Sequence, residues 1–168
     1  MKPGVGSRSL FTSDEKKSII GLGGILFFRM YGLFLVLPVF SALAMELEQA
    51  SPLLVGIAFG AYGVTQGLLQ VPYGMLSDRI GRKPVIMGGL LIFVMGSVLA
   101  AVSDSVYWMI AARFLQGAGA VSSAIFALIA DLTRPEVRTR ANAFLGGSIG
   151  ISFGIAILSA PFLSQAYG

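Results

Sequence analysis

Arg29 and Arg113 are the two charged residues whose positions most need a chemical explanation. Each lies inside a long apolar stretch, whereas the other ten of the twelve basic residues lie in polar segments. Arg29 stands about ten residues into its stretch, which is roughly 15 Å along a helix. A charge at that depth in lipid costs on the order of 3 kcal/mol. Such a side chain can pair with another polar group for a purely structural reason, or snorkel to the membrane surface, or line a polar cavity. We favour the cavity.

Further polar residues accompany Arg113 along its apolar segment. At helical spacings of three and four, one face of this segment carries a cation, an amide, small residues and a carboxylate: Arg113, Gln116, Ala120, Ser123, Ala127 and Asp131. The same segment also holds small residues that suit close helix packing: Gly117, Gly119, Ser122 and Ser123. Both uses are compatible, because small residues admit a neighbouring helix while the arginine faces inward.

The second apolar segment combines two narrow stripes. One is polar and could bind a substrate or only another helix: Tyr62, Gln66, Gln70 and Tyr73. The other is made of glycines, and a similar stripe recurs in the fifth segment: Gly56, Gly60, Gly63 and Gly67, then Gly146, Gly150 and Gly154. Glycines at this spacing predict close helix packing.

The segment 74–84 is a short charged hinge between two apolar runs, and its charges require water. Gly81 can adopt the backbone that ends a helix, and Pro84 suits the first turn of the next one. Arg82 lies four residues after Asp78, within reach for a charge-assisted hydrogen bond. The hinge is therefore at least a basic loop that sets orientation.

Composition indicates the kind of protein that must position these residues. Of 168 residues, 55% are apolar and only 12% are charged, which is typical of an integral membrane protein. The net charge of +4 comes from particular loops, so it does not indicate nucleic-acid binding. Cysteine and histidine are absent from the sequence. We therefore expect no disulfide, no zinc site and no cofactor, and we see no nucleophile and base arrangement typical of an enzyme.

Five apolar segments are long enough to cross a bilayer as helices. We predict a polar tail over 1–17 and an all-α membrane bundle over 18–168, with helices at about 19–43, 53–76, 84–102, 106–130 and 141–166. Thr12 and Glu15 have the spacing of a capping box, which predicts a helix that starts near Ser13.

The basic residues alternate between loops. Ten of them lie in the tail, the hinge and the 131–140 loop, whereas the loops near 44–52 and 103–105 hold acidic residues and no basic ones. This alternation predicts a multi-pass protein with a cytoplasmic N-terminus.

Two of these motifs resemble signatures of the major facilitator superfamily of transporters. The hinge resembles the signature between that family's second and third helices at eight positions: Gly74, Leu76, Asp78, Arg79, Gly81, Arg82, Lys83 and Pro84. The fourth segment resembles the fourth-helix signature through Arg113, Gln116, Gly117, Gly119 and Ala120. The fifth-helix antiporter signature keeps Gly147 and Pro161 but has other residues in place of its glycines, which leaves antiport open.

The resemblance implies a fold and an activity. The chain would supply five transmembrane helices of the N-terminal half, with the sixth helix missing, of a proton-coupled secondary transporter in the bacterial inner membrane that exports small amphipathic molecules or drugs. Its partners would be the lipid bilayer, a small-molecule substrate, protons and the C-terminal half. The alternative is a complete five-helix protein, a subunit or a relic, that does not transport.

The resemblance also implies roles for residues. The predicted substrate cavity is lined by Arg29, Gln66, Gln70, Arg113 and Gln116. The predicted conformational switch consists of Gly74, Asp78, Arg79, Gly81, Arg82, Lys83 and Asp131, with a charged cluster of Asp78, Arg82 and Asp131 at the cytoplasmic face. Because the middle of every segment lacks Asp and Glu, we expect any central proton carrier to lie outside this part of the transporter.

Overall fold

A computed structural model describes residues 11–167 of the chain. The described part consists of six α-helices and one short 3-10 turn, Pro135–Val137. The helices are α1 Ser13–Met45, α2 Pro52–Ile80, α3 Arg82–Ala101, α4 Val106–Ala118, α5 Ser122–Leu132 and α6 Arg138–Tyr167. By length and apolar composition, α1, α2, α3, the α4–α5 pair and the region Pro135–Phe162 can each cross a membrane.

Local sequence signals explain where the first helices begin. The Thr12 side chain accepts from the Glu15 backbone N–H, and the Glu15 carboxylate accepts from the Thr12 N–H at 2.8 Å, so the predicted capping box and helix start are confirmed. Ser51 caps α2 directly before Pro52, which occupies the first helical turn. Ser105 caps α4 in the same manner.

The fourth predicted segment is not one continuous helix, which corrects the prediction of a helix over 106–130. The α-helix stops at Ala118 and restarts at Ser122. Between them, the N–H of Val121 bonds to the carbonyl of Gly119 only two residues earlier. Arg113 and Gln116 therefore lie before the break and Asp131 after it, so the single polar face expected along this segment is interrupted.

The fourth span lies centrally among its neighbours. Its first part, α4, packs mainly against α2 and α3, while α1 packs mainly along α6. One apolar core joins α1, α3, α5 and α6 through residues such as Leu26, Ile86, Ile125 and Leu145. A second, smaller core forms at the other end of α1 around Phe40, with Val55 and Val106.

Closely packed glycines lie around α4 rather than in the predicted stripes. A Cβ atom added to Gly117 would lie 2.4 Å from the Tyr62 carbonyl oxygen, and one added to Gly119 would lie 2.5 Å from the Gly89 carbonyl oxygen. In the described part of the chain the predicted stripes make no close contact, and their packing stays a prediction, because an added Cβ would meet nothing within 4 Å at any of these positions: Gly56, Gly60, Gly63, Gly67, Gly146, Gly150 and Gly154. The packing predicted for Gly117 and Gly119 is confirmed.

The two ends of the bundle differ in charge. At one end the acidic loops meet, because the Glu48 N–H donates to the Asp104 carbonyl at 2.9 Å and the Val106 N–H donates to the Glu48 carbonyl at 3.1 Å. At the other end the hinge meets the end of α5 through Arg82 and Asp131. The basic segments of the hinge and the 131–140 loop therefore share one end of the molecule.

Candidate functional site

The predicted charged cluster is present in the structure at the end of α2. Arg82 forms an ion pair with Asp78 one turn earlier and another with Asp131 from α5, where Nε lies 3.1 Å from Oδ2. The arginine side chain is 21% exposed, and the two carboxylates are 61% and 56% exposed. One guanidinium thus joins two elements that are far apart in sequence, in a place that water reaches.

The backbone of the hinge positions Arg82. Gly81 is the single residue between α2 and α3, and its φ of 99° lies in a region that side chains disfavour. Ser77, which is buried, accepts from Arg82 Nη1 at 2.7 Å and donates to the Gly74 carbonyl at 2.7 Å. Sequence reasoning missed Ser77, although its place in the hinge five residues before Arg82 was a usable signal. The other two basic residues predicted for the switch, Arg79 and Lys83, are exposed.

Arg29 lies at the break in the fourth span. Its Nη2 donates to the Gly119 carbonyl at 2.8 Å and its Nη1 donates to the Ser122 hydroxyl at 3.3 Å. Its guanidinium also lies over the Phe93 ring, 5.2 Å from the centroid. The side chain is only 4% exposed. The arginine of α1 therefore gives the Gly119 carbonyl at the break a second hydrogen bond, beside the one from the Val121 N–H.

Arg113 and Gln116 form a second buried group on α4. Arg113 Nη1 donates to Gln116 Oε1 at 3.2 Å, and Gln116 Nε2 donates to the Ser97 hydroxyl of α3 at 3.0 Å. The Arg113 guanidinium lies 4.2 Å from the centroid of the Phe40 ring. The aromatic face offsets part of the cost of burying the charge.

Some residues of the polar stripe of α2 have hydrogen-bonding atoms without a partner in the part that the structure describes, and another takes part in helix packing. Among described residues, the buried Tyr62 hydroxyl and Gln66 Oε1 have no hydrogen-bond partner. Gln70 instead contributes its backbone carbonyl, which accepts from the Ser123 hydroxyl at 2.9 Å. Gln66 therefore lies beside α4, whereas Gln70 takes part in packing through its backbone contact with Ser123.

Two cavities adjoin Arg113. The larger, about 360 Å³, is lined by Arg113, Gln116 and Ser97 together with mainly apolar residues such as Leu33, Phe93 and Met109. The smaller, about 290 Å³, is lined by Arg113, Tyr62 and apolar neighbours that include Leu37 and Phe59. An apolar cavity with a few convergent polar groups is typical of a small-molecule site.

A further ion pair, which sequence reasoning missed, ties α1 to the 131–140 loop. The buried Glu15 carboxylate accepts from the backbone N–H of Arg134 at 3.1 Å and from its Nε at 2.9 Å and its Nη2 at 3.1 Å. These bonds raise the pKa of Arg134. The capping box explains why Glu15 is present, but a contact over 119 residues leaves no signal in a single sequence.

The five spans, the buried arginines and the ionic cluster at one end define the chain as a multi-pass helical membrane protein with polar groups in its interior. The chain belongs to the Major Facilitator Superfamily, whose family model matches residues 22–168. The chain is similar to the inner membrane transport protein YajR of Escherichia coli, with 50% identity over 94% of this chain and 35% of the relative.

Relatives named for drug resistance also match. Multidrug resistance protein D of Escherichia coli is 35% identical over 65% of this chain and 26% of its own length. The class H tetracycline resistance protein of Pasteurella multocida is 30% identical over 90% of this chain and 38% of its own length. The chain thus spans about a quarter to two-fifths of the length of these relatives.

Proposed function

We propose that this chain acts as the N-terminal part of a proton-coupled secondary transporter that exports small amphipathic molecules by alternating access. The observation that carries the proposal is the polar group of Arg113 and Gln116 facing apolar cavities in a membrane-spanning bundle. The drug-resistance names of two relatives support export of drug-like molecules.

Two kinds of observation support the proposed cavity residues: which of them line a cavity, and which of them have a hydrogen-bonding atom without a partner in the described part of the chain. Arg113 lines both cavities and Gln116 lines the larger one, so a substrate there would meet a cation and an amide. Gln66 is proposed to contribute through its unpartnered Oε1. Arg29 is proposed to contribute its positive charge from the far side of Phe93, which forms part of the cavity wall. The cavity role of Gln70 has less support, because its observed contact is a packing contact with Ser123.

The proposed switch role of the hinge is supported by the low energy needed to rearrange its ion pairs. Exposed ion pairs contribute roughly 0–1 kcal/mol. A bond of that size between Arg82, Asp78 and Asp131 can be exchanged for another contact at little cost, which a reversible switch requires. The proposed exchange partner is the C-terminal half of the transporter, and the open glycine faces of α2 and α6 offer it close approach.

We further propose that the N-terminus and the Arg82 end face the cytoplasm in a bacterial inner membrane. The support is the clustering of the basic segments at one end of the bundle and of Glu48 and Asp104 at the other.

The test uses the intact gene in bacterial cells that lack their own efflux pumps. Accumulation of tetracycline and of charged dyes is measured with and without expression, in the presence and absence of an uncoupler. We expect lower, uncoupler-sensitive accumulation, and we expect its loss in Asp78→Asn and in Arg113→Ala. Wild-type export by both variants would contradict the residue roles.

The same experiment separates the alternative of a complete five-helix protein that does not transport. If the reading frame stops after codon 168 and expression changes no accumulation, the alternative holds. An in-frame continuation with further membrane spans supports the transporter.

A further inference from the structure

Arg29 and Arg113 are buried cations that form no ion pair with any acidic residue in the part of the chain that the structure describes. All eight acidic residues lie at helix ends or in loops: Asp14, Glu15, Glu46, Glu48, Asp78, Asp104, Asp131 and Glu136. Among the described residues, ion pairs join acids to Lys17, Arg82 and Arg134, but to neither buried arginine. The interior of the bundle therefore carries two positive charges that the chain itself does not neutralise.

The contacts of these arginines are with neutral groups only. Arg29 bonds to a carbonyl and a hydroxyl, and Arg113 bonds to an amide oxygen. Each Nε is buried and, within the described part of the chain, without a hydrogen-bond partner. Neutral partners reduce the cost of burying a cation, but an anion reduces it much more.

The shape of the space beside Arg113 limits what that anion can be. The cavity of about 360 Å³ has room for a small organic molecule, and its wall is mostly apolar apart from Arg113, Gln116 and Ser97. Phe93, which forms part of the wall, has the Arg29 guanidinium on its ring. A hydrated inorganic ion would find few partners on such a wall, whereas an apolar body with one anionic group would match it.

We infer that the substrates are amphipathic organic anions, with a carboxylate or sulfonate beside Arg113 and an apolar body along the cavity wall. This inference rests on the proposed export function and narrows its substrate class. Arg29 adds to the positive potential from behind Phe93. A carboxylate supplied by the rest of the transporter would instead neutralise the arginines. The preference for anionic over cationic ligands would then be lost, so a comparison of the two kinds of ligand decides between these cases.

The test compares two dyes with the same xanthene ring system and opposite charge, fluorescein as the anion and tetramethylrosamine as the cation. The full-length protein is purified in a neutral detergent, and binding is titrated by fluorescence anisotropy. We expect fluorescein to bind at least roughly tenfold more tightly, because only the anion can accept charge-assisted hydrogen bonds from Arg113.

Variants assign the preference to the interior arginine. Arg113→Gln should lose roughly tenfold in fluorescein affinity and leave tetramethylrosamine binding unchanged or stronger, whereas Arg113→Lys should keep part of the preference. Arg140→Gln removes an exposed arginine of the 131–140 loop and is the matched control. Elution volume in size-exclusion chromatography shows that each variant is folded, and the wild-type comparison decides the question even if a variant does not fold.

The outcomes separate this inference from the export proposal. Weak or no fluorescein binding, or equal binding of both dyes, overturns the inference. If cells export tetramethylrosamine but not fluorescein, the export proposal stands and the inference fails. Selective fluorescein binding by a protein that exports neither dye would support the inference and contradict export.

Discussion

Arg82 and Arg113 show how the same side chain acts in two different settings of one molecule. Arg82 lies at the end of the bundle, partly exposed, between two exposed carboxylates. Arg113 is 5% exposed, rests on an aromatic ring and bonds only to an amide oxygen. Water screens the first arginine, so its bonds are weak and exchangeable. The second keeps a charge without an ion-pair partner in the described part of the chain, in a buried and mostly apolar environment where an anion would interact strongly.

We call the Arg82 end of the bundle the rim, and its charged cluster consists of Asp78, Arg82 and Asp131. The comparison teaches that the placement of charged side chains depends on close packing in the interior and much less so at the rim. The interior arginines depend on glycines that bring α2, α3 and α4 together and on the break that exposes the Gly119 carbonyl. The rim cluster depends on the turn at Gly81, the buried Ser77 hydroxyl and the reach of three charged side chains. Interior changes should therefore cost stability, and rim changes should alter mainly the conformational equilibrium.

The largest effect is expected from Gly96→Ala on α3. The added Cβ would lie 2.6 Å from the backbone nitrogen of Gln116, so α3 and α4 must separate beneath the Arg113–Gln116 pair. Overpacking of this kind costs about 1–3 kcal/mol. Gly88→Ala on the same helix meets nothing within 4 Å and is the control. Thermal unfolding in detergent checks both variants, and equal melting temperatures would refute close packing at Gly96.

A smaller loss of stability is expected from Arg29→Lys. The charge remains buried, but a single ammonium cannot reproduce the fork that bonds Gly119 and Ser122. We expect a loss of about 1–2 kcal/mol for one broken charge-assisted hydrogen bond. Arg82→Lys, the matched change at the rim, should cost less than about 0.5 kcal/mol because water replaces the lost contact. A larger loss for Arg82→Lys than for Arg29→Lys would reverse the comparison.

A smaller stability change than for Arg29→Lys is expected from Asp131→Asn, which removes one carboxylate from the rim cluster. The exposed pair with Arg82 should contribute at most about 1 kcal/mol and less at high salt. Unfolding measured at low and high ionic strength checks this. A loss that is large and insensitive to salt would mean that the rim cluster is a structural pair rather than an exchangeable one.

Sequence predicted the features that depend on local chemistry. Apolar length gave the spans, the Thr12–Glu15 spacing gave the start of α1, and the hinge spacing gave the Asp78–Arg82 pair. Apolar segments and small residues alone did not reveal the break at Gly119, where the carbonyl accepts a hydrogen bond from Arg29, a residue 90 positions away. The glycine stripes are similar in this respect, because spacing identifies a face of small residues but not which neighbour covers it.

Site accessibility tests most directly the claim that the Arg82 end and the Asp104 end of the bundle lie on opposite sides of a membrane. The chain has no cysteine, so Lys83→Cys and Asp104→Cys each introduce a single thiol into it. A membrane-impermeant thiol reagent applied to intact cells should label the thiol at position 104 but reach the one at 83 only after permeabilisation. Labelling of both positions from the same side would contradict the account.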